Sequence, residues 1–365
     1  MLESMRLPVI LVLLGCAAAA QAQNPEQLFK EAVAAQQRGD DATAIAKYGE
    51  LLKIRPDVLE VRANLGAALA RQGRFDEAIE QYRAALARDE GNFALRMNLA
   101  LAYYKKGAFA EAGKELGSLR GGNDDVRVAT LLADCHLRLG QDAQAIAVLA
   151  PVEAAHPDDL GVVWILGSAL IRAGHLRDGV ERVEKVAQRG NSAEAYLLAG
   201  QTLLKMDEFE RARDDAGAAL RLNPRLPGGL TLRGSTLQYL GDNAGATAAL
   251  RQAVEQDPND FEAHLTLGAV LNTERELAGA RQHLERALAL KPDSNLALYE
   301  MARLERTEGQ VEEAIRDFEK VIKADPKWAQ PHLELSVLYF RMERQADGSK
   351  TTGGESRPPV VLTVP

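Results

Sequence analysis

The feature that most constrains this chain is a period. Residues 64–92 read NLGAALARQGRFDEAIEQYRAALARDEGN, and variants of that phrase return through most of the 365 residues. Blocks aligned on it begin at Pro25, Leu59, Phe93, Val126, Leu160, Ala193, Pro227, Phe261, Asn295 and Ala329, always 33 or 34 residues apart. A fixed period of this size belongs to stacked supersecondary units, each burying its apolar face on its neighbours, and not to one globule. Each block holds two apolar stretches of 3.6-residue spacing around a turn, which predicts a helical hairpin. The expected fold is all-α, a solenoid of stacked antiparallel hairpins with about nine full repeats and a terminal helix.

Local chemistry agrees with that reading. Glycine follows the first helix at Gly39, Gly73, Gly107, Gly140, Gly174, Gly241 and Gly309, where a left-handed residue ends a helix without a Cβ penalty. Asp207 and Arg275 stand at that place in two blocks, so less favourable turns are expected there. Proline closes many blocks, as at Pro56, Pro157 and Pro258, and stops the second helix. Acidic pairs at the junctions, Asp124-Asp125 and Asp158-Asp159, suit turns or helix caps. The eighth place is always small (Gly66, Ala100, Gly167, Gly268 among others), and so is the twentieth (Ala78, Ala112, Gly179, Ala280), which lets paired helices approach closely.

These residues resemble the tetratricopeptide repeat. Its leucine-glycine pair stands as Leu65-Gly66, Leu166-Gly167 and Leu267-Gly268, its later aromatic as Tyr48, Tyr82 and Phe318, and its late alanine as Ala85, Ala219, Ala253 and Ala287. The resemblance covers about residues 25–342 and implies a right-handed superhelix. Departures are Glu31 and Arg233 in place of leucine, and a glycine-rich second helix in the third block (Gly113, Gly117, Gly121, Gly122), a soft point because interior glycine weakens a helix.

The flanks read differently. Residues 1–22 carry Arg6, an apolar run from Leu7 to Leu14, and Ala20-Gln21-Ala22, the order of a bacterial secretory signal that would leave Gln23 as the mature start. Leu13-Leu14-Gly15-Cys16 offers a second reading, a lipobox with lipid on Cys16. The expected address is therefore the periplasm or cell envelope, with a membrane-anchored lipoprotein as the alternative and membrane contact only through a lipidated Cys16. Residues 23–342 form the expected solenoid. The stretch 343–365, rich in Gly, Ser, Thr and Pro, reads as a disordered tail.

Composition narrows the function. The net charge of −8 gives no basic excess, and no nucleic-acid partner is expected. Of two cysteines, Cys16 lies in the leader and Cys135 in a core-facing stretch, so no disulfide framework is expected and Cys135 reads as an inert thiol. None of the six histidines forms His-x-x-x-His, and His264 and His332, at the fourth place, read as half-buried packing. No catalytic residue, metal ligand or cofactor is assigned.

A binding surface is expected instead. The resemblance implies that the second, fifth, ninth, twelfth and thirteenth places of the first helices face a concave groove. Through the middle blocks these include Met97, Leu101, Tyr104, Asp134, Trp164, Ser168, Ile171 and Gln201, with Trp164 the foremost candidate for an exposed contact. Asn64 and Asn98, at the sixth place, would bond a ligand's backbone. Arg71, Lys105, Arg138, Arg172 and Lys205 make a cationic ladder at the thirteenth place, suited either to an acidic partner or to the negative end of each helix dipole. Lysine is missing from the fifth place, where the family's chaperone-tail adaptors carry it, so that role is not expected. The resulting expectation is a non-enzymatic scaffold or adaptor for a protein or peptide segment. The alternatives are an envelope lipoprotein assembling a secretion, pilus or polysaccharide-export machine, and an accessory subunit of an envelope enzyme.

Overall fold

The computed structural model describes residues 24–119 and 125–351, with side chains as far as Glu343. Its described residues form helices joined by turns, without a strand. They fall into two compact units that divide after Gln144, inside α8 (Asp142–Ala155). The first unit holds α1 (Pro25–Gln37), α2 (Asp41–Ile54), α3 (Leu59–Arg71), α4 (Phe75–Leu86), α5 (Phe93–Lys106), α6 (Phe109–Leu119) and α7 (Val126–Arg138). The second holds α9 (Leu160–Arg172), α10 (Leu176–Gly190), α11 (Ala193–Lys205), α12 (Phe209–Leu222), α13 (Gly229–Tyr239), α14 (Asn243–Gln256), α15 (Phe261–Thr273), α16 (Leu277–Leu290), α17 (Asn295–Glu308), α18 (Val311–Ala324) and α19 (Ala329–Thr351). Within each unit the helices pack in chain order, as hairpins of first and second helices.

The two columns of small residues are where the hairpins close. A Cβ built on Gly66 would lie 2.7 Å from the Tyr82 ring, and one on Gly268 would lie 2.6 Å from Leu284. Gly167 and Gly179 face each other, since a Cβ on Gly179 would stand 2.9 Å from the Gly167 carbonyl oxygen. Tyr48 and Phe318 are fully buried beside such columns, and Tyr82 nearly so. Of the departures, Arg233 lies exposed, while Glu31, in the first hairpin, pairs with Lys47. Helix α6 is continuous through Gly113 and Gly117, and Gly121 and Gly122 lie outside the described residues.

Turns follow the expected chemistry, with one difference. All seven expected turn glycines have φ between 71° and 86°. Asp207 (φ 59°) and Arg275 (φ 66°) adopt the same left-handed conformation despite their side chains. The hydrogen bonds explain why: Glu208 N donates to Leu203 O at 3.0 Å and Glu276 N to Leu271 O at 2.9 Å, as Asp40 N does to Ala35 O in the glycine turns. The stack fixes the turn, and the residue bears a cost of roughly 1–2 kcal/mol. Asp125 and Asp159 cap α7 and α9 through their carboxylates, as expected; Asp124 lies outside the described residues.

The expected leader, with Cys16, also lies outside them. At the other end α19 runs to Thr351, past the boundary after Met342 where a disordered tail was expected.

Candidate functional site

Side chains at fixed places in the repeat are coupled, and the couplings decide which groups remain available. At the fourth place Arg62, Arg96, His264 and His332 all hydrogen-bond the carbonyl six residues earlier, at Pro56 (2.8 Å), Glu90 (2.7 Å), Pro258 (3.3 Å) and Pro326 (3.1 Å). Three of them also reach the second helix of their own hairpin: Arg62 to Gln81, Arg96 to Glu115, and His264 to His283. His264 is buried, more fully than the half-buried packing expected. His332 is exposed, against expectation; among the described residues no second helix follows α19 to cover it.

At the thirteenth place the arginines are likewise engaged. Arg71 forms an ion pair with Asp41 of the preceding hairpin, and Arg138 lies 5.7 Å from the Phe109 ring centre and 3.5 Å from Asp134. Tyr239 continues the column without charge, stacked on Phe209 with ring centres 4.9 Å apart. Arg172 also has an interaction partner. Arg71, Arg138 and Arg172 of the cationic ladder are thus engaged with the protein itself.

In the first unit other groove candidates are also engaged. The Tyr104 hydroxyl donates to Asp134, which raises the phenol above its ordinary range, and Tyr104 meets Phe109 edge-on at 5.5 Å. Asn64 is half-buried near the Tyr48 hydroxyl, which donates to Gln36 Oε1 at 2.7 Å; burial pushes that phenol up and Asn64 opposes the push. Met97 and Asn98 are half-buried, whereas Leu101 and Lys105 are exposed.

In the second unit Trp164 is half-buried, packed with Ile171 against Val163, Val183 and Ala195. The foremost candidate for an exposed contact is thus partly covered, by a cluster drawn from α9, α10 and α11. The Ser168 Oγ is buried without a hydrogen-bond partner among the described residues.

Gln201 and Lys205 have a different setting. They line a pocket of about 400 Å³ along α11, α13 and the start of α15, together with Leu204, Gly228, Thr231, Leu232, Ser235, Asp260 and Glu262. Leu204 and Leu232 supply its apolar wall. Thr231 donates to Asp260 Oδ2 at 2.5 Å, while Asp260 Oδ1 caps α15 by accepting from Ala263 N at 3.0 Å. Glu262 stands 3.9 Å from Lys291. Gly228 enters α13 at φ 78°, a left-handed conformation that glycine tolerates.

Sequence reasoning missed Ser235 and Glu262, although they occupy the ninth and second places, because the groove was followed only through the middle blocks. Asp260 belongs to a cap and carries no groove signal. The pocket is equipped to bind, with an amide, a hydroxyl, an ammonium group and an aliphatic wall on one opening. Among the described residues no three His, Cys, Asp or Glu side chains form a metal-holding group. Cys135 is fully buried and its thiol is pushed up to about 11 by that burial, which agrees with an inert core role.

Comparisons with known proteins agree with this architecture. Models described as Tetratricopeptide repeat match residues 29–93 and 231–295, 69–125, and 193–226 and 297–327. Vi polysaccharide export protein VexE of Salmonella typhi is 33% identical over 168 residues, 42% of this chain and 26% of that protein. Protein O-mannosyl-transferase TMTC1 of Homo sapiens is 24% identical over 187 residues, 50% of this chain and 21% of that protein. The chain thus spans about a quarter of the length of these relatives. The solved C-terminal part of a TPR repeat-containing protein from Cytophaga hutchinsonii is 18% identical, with a TM-score of 0.52 over 64% of this chain and 97% of that one, a likeness of fold.

Proposed function

The chain belongs to the tetratricopeptide repeat family, and from that premise we propose that it is a non-enzymatic scaffold or adaptor holding a protein or peptide segment along its first helices. The observation that carries the reading is the second-unit pocket, where Gln201, Lys205 and Ser235 converge beside Leu204 and Leu232. Open polar groups beside an aliphatic wall suit a peptide, whose backbone takes the hydrogen bonds and whose side chain takes the wall. The test is capture of partners by the intact protein and by a Gln201→Ala/Lys205→Glu/Ser235→Ala variant. The variant should lose partners that an exposed control, Arg213→Glu, retains; equal capture by all three proteins overturns the reading.

We further propose the bacterial cell envelope as the place of action, supported by the charged, apolar and small-residue order of residues 1–22. Mass measurement of the mature protein should give Gln23 as its first residue. Lipid labelling that is abolished by Cys16→Ser would support the anchored form instead. The similarity to a polysaccharide export protein favours, as a second reading, service in an export assembly. Loss of exported polysaccharide on deletion, restored by wild type but not by the pocket variant, tests it.

A further inference from the structure

The second-unit pocket has an uneven charge distribution, and its hydrogen bonds show which charges are open. Asp260 is held by Thr231 and by the α15 backbone, and Glu262 faces Lys291. By contrast, the side chains of Lys205, Gln201 and Ser235 have no hydrogen bond or ion pair among the described residues. Lys205 is exposed, as is Gln201 one helical turn before it on α11, while Ser235 projects from the neighbouring first helix α13. The open groups are therefore a cation and two neutral hydrogen-bonding side chains, beside Leu204 and Leu232.

We propose that this pocket takes a peptide segment that sets an acidic side chain against Lys205 and an adjacent aliphatic side chain on Leu204 and Leu232. The inference rests on the groove reading above and adds the chemistry of the partner. A carboxylate matches one ammonium group in charge. A phosphate, with nearly twice the charge, exceeds what one ammonium group balances. Gln201 and Ser235 supply both donors and acceptors, which a peptide backbone uses together.

The test measures fluorescence anisotropy of labelled short peptides with a Leu-Glu-Leu, Leu-Gln-Leu or Leu-Lys-Leu core against the full chain. The glutamate peptide should bind best, the glutamine peptide about tenfold more weakly, and the lysine peptide most weakly. Lys205→Glu should reverse the order of the glutamate and lysine peptides, and Lys205→Gln should remove the preference between them. Lys205 is exposed, so both variants should keep the wild-type unfolding midpoint. Equal binding of the three peptides, an unchanged order in Lys205→Glu, or binding of none overturns the inference. Partner capture that depends on Gln201 and Ser235 but ignores the charge at Lys205 leaves the groove reading standing while this one fails. Capture indifferent to the whole pocket removes both.

Discussion

His264 Nδ1 lies 3.0 Å from His283 Nδ1, joining α15 to α16 within one hairpin. His264 Nε2 faces the Pro258 carbonyl, which only accepts, so that nitrogen carries hydrogen; the neutral His264 Nδ1 then accepts from His283. Two protonated rings would bring N–H against N–H. Burial lowers both pKa values; Arg286 and Arg251 add to that effect, while the Pro258 carbonyl, Asp260 and Asp257 oppose it at His264.

A folded pKa below the unfolded value of about 6.5 means that the unfolded chain binds more protons in acid. The pair's contribution is therefore present above about pH 6.5 and declines as pH falls through the folded values. The unfolding midpoint of the wild type should drop between about pH 7.5 and about pH 5 more than that of His264→Arg/His283→Gln. That variant installs the arginine–glutamine couple that Arg62 and Gln81 already form at the same places. Equal slopes would show that the pair does not set the pH response.

Glu305 stands where other hairpins place Leu69, Leu203 and Leu271, and its Oε2 is buried without a hydrogen-bond partner among the described residues. Burial first, then Asp317, pushes its carboxyl up to about 7. A raised folded pKa contributes stability that is complete below the unfolded value and lost as pH rises through about 7. Glu305→Leu should stabilise the protein by about 1–2 kcal/mol near neutrality, and by more at about pH 8 than at about pH 6. Denaturant titration at both pH values checks the size and the sign.

Arg275→Gly and Asp207→Gly should each stabilise the protein by about 0.5–1 kcal/mol, since the turn keeps its left-handed φ and loses the Cβ penalty. Alanine in their place should give no gain. Chemical denaturation of the single variants distinguishes the two outcomes.

Gly66→Leu should destabilise the first unit by about 1–3 kcal/mol, because the Tyr82 ring already occupies the required space. Arg71→Ala should cost below about 1 kcal/mol, as its pair with Asp41 is open to solvent on the arginine side. Unfolding midpoints of the two variants should differ accordingly.

The sequence by itself determined the repeat, because packing imposes the same demand every 33 or 34 residues. Leu65, Gly66, Gly73, Ala78 and Tyr82 answer that demand locally, so their roles were legible without coordinates. The thirteenth-place cations were legible as a column, but their partners were not. Arg71 meets Asp41, and Tyr239 meets Phe209, only when successive hairpins stack, across about 30 residues of chain. Tertiary structure likewise half-buried Trp164 and left Lys205 open beside Ser235. A periodic pattern specifies which face a residue occupies; whether its charge remains available depends on what the neighbouring hairpin brings against it.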